Sequence, residues 1–152
     1  MNTRRIQMES EYVRRLLPAG RNSRRAADRA LTACGLSAAG AWPVLYIRRM
    51  GEGIRQSALA EMLEVENASL VRQLNLLAEA KLVDRRPDPT DGRANLLYLT
   101  REGHEMADRV EVIIGEVRER ALAQVSDDQL RIALEVLDLV GDALDDGEGA
   151  QG

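Results

Sequence analysis

Between Gln56 and Leu99 the spacing of apolar residues changes twice, and this order of periods constrains the fold more than any other feature of the chain. Ala58, Leu59, Met62 and Leu63 mark a short amphipathic helix, ended by the break Glu64-Val65-Glu66. A second helix starts near Asn67 and carries Leu70, Leu74 and Leu77 on one face, where Val71 is expected to join them. Two short helices around a turn of about three to four residues predict a helix-turn-helix. Val65 is then the apolar plug of the turn, and Ala60 the small residue where the helices cross. The pattern next becomes that of strands, at Leu82 to Arg86 and at Asn95 to Thr100. Between them lies Pro87-Asp88-Pro89-Thr90-Asp91-Gly92-Arg93, a loop dense in turn formers. A helix-turn-helix followed by a polar, Arg-tipped hairpin predicts a winged helix, mainly α with a small β-hairpin wing.

The flanks read as helix. Tyr12, Val13, Leu16 and Leu17 form an apolar stripe that Ala26, Ala27, Ala30 and Leu31 resume, so Tyr12 to Leu31 is expected to be helical. Pro18 and Gly20 interrupt it, which predicts a kink or a junction of two helices. Gly35 reads as a helix stop after Cys34, and Ser37 as the N-cap of a helix carrying Trp42, Leu45 and Tyr46. Gly51 and Gly53 end that stretch. Beyond the hairpin, Thr100 is placed to cap a long helix with Met106, Val110, Ile113, Val117 and Ala121 close to heptad spacing. Ser126 and Gln129 form a capping box ahead of Leu130, Ala133, Leu134, Leu137, Val140 and Leu144. The acidic, Gly-rich stretch from Asp145 is expected to fray. Two long amphipathic helices outside a small winged helix lack a core of their own. They are expected to pair with the N-terminal helix and with a second copy of the chain.

Composition narrows the function. A chain of 152 residues fits one domain or two small intertwined subdomains, and 45% apolar residues suffice for a core. No window approaches the ~18 apolar residues of a membrane helix, and no signal-peptide apolar region opens the chain, so a soluble cytoplasmic protein is expected. One cysteine, Cys34, and one histidine, His104, exclude a disulfide framework, a multi-cysteine zinc site and a His-rich metal centre, and no cofactor is expected. With no Gly-rich phosphate loop and no Ser-His-Asp set, the pattern argues against an enzyme.

A net charge of −4 argues against a nucleic-acid partner, but that average hides a gradient. Residues 1–41 carry eight Arg against three acids, and residues 42–101 nine basic against eight acidic groups. Residues 102–152 reverse the balance, with four Arg and fourteen acids. Twenty of the 21 basic residues are Arg, the side chain suited to bidentate recognition of phosphate and guanine. A GC-rich genome also favours arginine codons, which is the alternative explanation.

Three runs carry a family resemblance: Ala58-Leu59-Ala60-Glu61-Met62-Leu63, Ala68-Ser69-Leu70-Val71-Arg72-Gln73-Leu74 and Leu82-Val83-Asp84-Arg85-Arg86. The wing continues them with Asp88-Pro89-Thr90-Asp91-Gly92-Arg93-Ala94, ending in Leu99-Thr100-Arg101-Glu102-Gly103. Upstream, Gly35-Leu36-Ser37 precedes Ala41-Trp42-Pro43-Val44-Leu45. The ordered set resembles the MarR/SlyA family of bacterial transcription regulators over about residues 25–125. The resemblance implies a homodimer held by its N-terminal and C-terminal helices. Its recognition helices would enter successive major grooves and its wings the flanking minor grooves, so the operator would be pseudo-palindromic with half-sites ~34–36 Å apart. The expected organisation is a dimerisation segment over 1–36, a winged helix-turn-helix DNA-binding domain over 37–100, C-terminal dimerisation helices over 101–146 and a flexible tail over 147–152.

Asn67, Ala68, Ser69, Arg72 and Gln73 lie off the buried stripe of the recognition helix, and the resemblance makes positions 68 and 72 the base-reading sites. Arg72 can offer two parallel donors to guanine O6 and N7, and Ala68 can touch a thymine methyl. Asp91 and Arg93 match the family's Asp-x-Arg wing signature, in which the carboxylate orients a guanidinium inserted into the minor groove. Gly92 departs from the family, where many relatives carry Arg or another polar residue; an Asp-Gly turn is the plainer reading. Arg85, Arg86 and Arg101 flank the wing as candidates for phosphate contacts, and Gln56 and Ser57 are either phosphate donors or a plain helix cap. Trp42 and Tyr46 sit on the helix that in this family lines an effector pocket, where Arg21 or Arg24 could meet the carboxylate of an aromatic acid; a lone Trp at helical spacing is also an ordinary core residue. Some relatives use a reactive thiol, but Cys34 is expected to be a small buried residue, and His104 structural. The expected function is a homodimeric repressor released by a small aromatic or phenolic ligand. The alternative is a winged-helix protein-interaction module that does not read DNA.

Overall fold

The computed structural model describes residues 3–145. Its elements run α1 (Thr3–Ala33), α2 (Ala38–Met50), β1 (Ile54–Arg55), α3 (Gln56–Leu63), α4 (Asn67–Glu79), β2 (Val83–Pro87), β3 (Asn95–Leu99), α5 (Arg101–Leu122) and α6 (Asp127–Asp145). The chain divides into two compact units, the first ending at Val117 and the second beginning at Arg118. Among the described residues no single helix is long and apolar enough to cross a membrane.

In the first unit α2 is the central element, with Ala41 to Leu45 and Ile47 all buried. Around it lie Leu31 of α1, Leu59 of α3, Leu70 and Leu74 of α4, Leu97 of β3 and Val110 of α5, each fully buried. The sheet has the order β1-β3-β2, antiparallel throughout. Leu97 and Leu99 alternate with the less buried Leu96 and Tyr98, so β3 turns one face to the core. β2 is an edge strand, which lets it end in Pro87, a residue with no N–H for the ladder.

Three helix ends share one device. Leu36 N–H donates to Leu31 C=O at 2.9 Å and Gly35 N–H to Thr32 C=O at 3.0 Å, the paired bonds of a Schellman motif with Gly35 at φ 76°. The same two bonds close α3, from Val65 to Ala60 and from Glu64 to Glu61, and α4, from Leu82 to Leu77 and from Lys81 to Ala78. Glu64 and Lys81 take the left-handed conformation without being glycine, at φ 53° and 58°. Val65 and Leu82, the residues following them, are half-buried against the core, so tertiary packing offsets the backbone cost.

The join between wing and α5 is tight. Thr100 Oγ1 accepts from Gly103 N–H at 3.0 Å and donates to Lys81 C=O at 2.6 Å, while Thr100 N–H donates to Leu82 C=O at 3.1 Å. A Cβ at Gly103 would lie 2.0 Å from the Leu82 carbonyl oxygen, so only glycine fits at the third position of α5. In the second unit, Ser126 N–H donates to Gln129 Oε1 at 3.0 Å and Gln129 N–H to Ser126 Oγ at 3.3 Å, the reciprocal capping box.

Several expectations are corrected. α1 runs unbroken from Thr3 through Pro18 and Gly20: proline removes one hydrogen bond, to Arg14 C=O, but imposes a helical φ. Ser37 occupies the N-cap of α2, yet its hydroxyl makes no cap bond, and only its carbonyl accepts, from Ala41 N–H at 2.8 Å. Val71 is exposed, since the core-facing stripe of α4 is only as wide as Leu70, Leu74 and Leu77. Cys34 is exposed, because it follows the last turn of α1 where the chain leaves the core. The wing is three-stranded, as Ile54 and Arg55 pair with Leu97 and Leu96. The expected flexible tail, 147–152, lies outside the described residues.

Candidate nucleic-acid interface

α4 starts at Asn67 and exposes Asn67, Ala68, Ser69 and Arg72, while Leu70, Leu74 and Leu77 hold its other face in the core. Gln73 is half-buried at the edge of that face. A groove of about 270 Å³ brings Asn67 together with Gln56 and Ser57 of α3 and with Asp91, Arg93, Ala94 and Asn95 of the wing. The start of the recognition helix and the tip of the wing, separate motifs in the sequence, thus form two walls of one concavity. Gln56 Oε1 is buried there without a hydrogen-bond partner. Among the described residues, neither the Arg72 nor the Arg93 guanidinium makes a hydrogen bond or an ion pair. Both are exposed and their charge is uncommitted; Arg93 lines the groove, whereas Arg72 lies further along α4, outside its lining.

The other arginines near the wing are engaged. Arg85 Nη2 donates to Asn75 Oδ1 at 2.6 Å, tying β2 to the recognition helix. Arg86 lies 4.1 Å above the Tyr98 ring, a diagonal cross-strand cation–π contact. Arg101 pairs with Glu102 and Glu105 at the start of α5. The Asp-x-Arg motif works differently from the expectation: Asp91 Oδ1 accepts from the backbone N–H of Arg93 at 3.0 Å and leaves its guanidinium alone. Separated by one residue, the carboxylate reaches the amide in a turn and shapes the loop from which the side chain projects.

Sequence reasoning missed the support beneath this loop. Asp88 is only 6% exposed. Its Oδ1 accepts from Thr90 N–H and from Thr90 Oγ1, both at 2.8 Å, and its Oδ2 pairs with Arg55 Nη2 at 2.6 Å. The Thr90 bonds first, and then Arg55, hold the Asp88 carboxyl below its ordinary pKa against the opposing effect of burial. Asp-Pro-Thr was legible as a turn, but nothing in the sequence marks the carboxylate as buried or names Arg55 as its partner.

Away from the groove, Trp42 Nε1 donates to Asp28 Oδ1 at 2.7 Å, and Arg24 lies 3.8 Å above the Trp42 ring while pairing with Asp28 at 3.4 Å. These three line a cavity of about 100 Å³ with Leu63 and Val65 of the helix-turn-helix and Gln73 of α4. Tyr46 is 6.2 Å from Trp42 between ring centroids, and neither Tyr46 nor Arg21 lines the cavity. Of the four expected effector residues, Trp42 and Arg24 meet there. His104 pairs with Glu52, joining α5 to the turn before β1.

A helix-turn-helix whose second helix shares a groove with an arginine-tipped hairpin defines a winged-helix protein. The profile of the MarR family matches residues 35–94, from the turn after α1 to the wing loop before β3. A candidate transcriptional regulator of the hcr operon in Thauera aromatica is 32% identical over 88 residues, 58% of this chain; the match spans about half the length of that relative. The crystal structure of the transcriptional regulator PA3341 superposes with a TM-score of 0.80 at 27% identity, covering 89% of this chain and 98% of that one. A MarR mutant from E. coli, solved in complex with operator DNA, shares the fold with a TM-score of 0.70 at 22% identity, covering 86% and 93%. Over residues 35–94 the chain is similar to the MarR family, and it shares the winged-helix fold of these regulators.

Proposed function

We propose that the protein is a homodimeric, sequence-specific DNA-binding transcription regulator, acting as a repressor that a small aromatic or phenolic ligand releases. The observation that carries the DNA-binding reading is the shared groove between the start of α4 and the wing, lined by Arg93, whose charge, like that of Arg72 on α4, is uncommitted. In this reading Asn67, Ala68, Ser69 and Arg72 face the major groove, with Arg72 bidentate to guanine, while Gln73, half-buried in the lining of the Arg24–Trp42 cavity, borders that face. Arg93, on a loop shaped by Asp91, enters the minor groove, while Arg85 and Arg86 serve the phosphates beside their internal contacts. Dimerisation is supported by exposed apolar faces: Val13 and Leu17 on α1, and on α6 Leu134, Leu137 and Leu144. Two copies place two recognition helices on one duplex face, which makes the operator an inverted repeat. The effector site is the Arg24–Trp42 cavity. A carboxylate competing with Asp28 for Arg24 would have to enlarge that cavity, and Gln73 and Val65 in its lining would carry the change to the recognition helix.

Selection of genomic fragments by the purified protein, followed by titration of the enriched fragment at rising salt, tests this reading. An inverted repeat whose binding weakens steeply with salt is expected. No enrichment, or a flat salt response, overturns it and favours the protein-interaction module. Light scattering during the same titration reports whether a dimer binds.

A further inference from the structure

We propose that Arg55 and Asp88 form a clasp that sets the position of Arg93 relative to the recognition helix, which makes both of them positioning residues for DNA reading; this rests on the DNA-binding reading above. The β2–β3 ladder ends at Pro87 and Asn95, so the wing tip beyond it has no strand pairing. Pro87 and Pro89 flank Asp88 without N–H groups to donate. Among the described residues Arg55 is the one side chain from outside the loop that bonds the tip, through Asp88 Oδ2 at 2.6 Å and Thr90 Oγ1 at 3.4 Å.

From that anchor a continuous path of bonds reaches Arg93. Asp88 N–H donates to Ala94 C=O at 2.9 Å, Ala94 N–H to Asp91 C=O at 3.0 Å, and Asp91 Oδ1 accepts from Arg93 N–H. At the other end, Arg55 is the residue before α3, and Gln56 and Ser57 directly after it line the groove opposite Arg93. The clasp therefore links the start of α3, whose Gln56 and Ser57 line the groove, to the wing tip that carries Arg93. Replacing either partner leaves a buried charge or a dangling loop, and Arg93 must then be ordered at the moment of binding.

The test is a mutant cycle on the fragment that the wild-type protein selects, read by fluorescence anisotropy. Arg55→Gln and Asp88→Asn are each expected to weaken binding roughly tenfold, and the double variant no further than either single one. Arg93→Ala, costly in the wild-type background, is expected to cost less than about twofold in either clasp variant. Base preference at the position read by Arg72 stays unchanged, an outcome that general destabilisation would not spare. Arg55 is half-exposed, so Arg55→Gln carries the cycle if Asp88→Asn fails to fold. An Arg93→Ala penalty equal in all backgrounds overturns the clasp and leaves the regulator reading standing. Wild-type protein that selects no DNA overturns that reading itself.

Discussion

Helices α4 and α6 carry apolar stripes of the same kind and meet opposite fates. In α4, Leu70 and Leu74 are fully buried and Leu77 nearly so, because α2, α3 and β2 pack around them. In α6 no described residue is buried: Leu134 is 54% and Leu137 45% exposed. An amphipathic stripe states that a face needs cover but not what covers it. For α4 the cover lies close by in the same chain. For α6 no described residue is buried, which is the physical basis for proposing a second copy.

The comparison breaks most readily at the stripes themselves. Leu74→Ala is expected to cost about 2–5 kcal/mol in denaturant unfolding at any protein concentration, since it empties a closed core. Leu137→Ala, on dilute protein, is expected to stay within about 0.5 kcal/mol, with a cost that appears only as rising concentration assembles the dimer. An equal, concentration-independent loss for both would mean that α6 is covered within its own chain. Gly103→Ala is next, at roughly 3 kcal/mol, because its methyl group meets backbone rather than a side chain that can turn away; thermal melting measures it. Ser126→Ala removes one bond of the capping box and is expected to cost about 1 kcal/mol, again by melting.

The smallest effect at neutral pH belongs to the wing. The Asp88 carboxyl is held below its ordinary 3.8, so its contribution is complete above that value and is lost as pH falls through the lowered folded value. The protection of the Thr90 amide relative to its intrinsic exchange rate should hold from pH 8 to 5 and fall only in stronger acid. A fall in protection between pH 6 and 5 would contradict the Asp88–Arg55–Thr90 arrangement.

Legibility differed by region for reasons of locality. The end of α1 was readable because Gly35 sits at its left-handed position; the ends of α3 and α4 use Glu64 and Lys81 there, which no propensity singles out. β1 has two residues and exists through pairing with Leu96 and Leu97, too short for any period. In the candidate site, Arg72 and Arg93 could be named as candidates from the sequence, whereas the bonding of Asp91 to an amide and of Asp88 to Arg55 depends on loop geometry and on a partner distant in the chain.

By itself the sequence determined the order of elements, the apolar faces and the arginines offered to a partner, because periodicity, caps and charge are local properties. Tertiary structure decided which faces close within the chain, which arginines stay uncommitted and what holds the wing. Those outcomes depend on residues brought together across the fold, at distances of a few ångströms that no local pattern encodes.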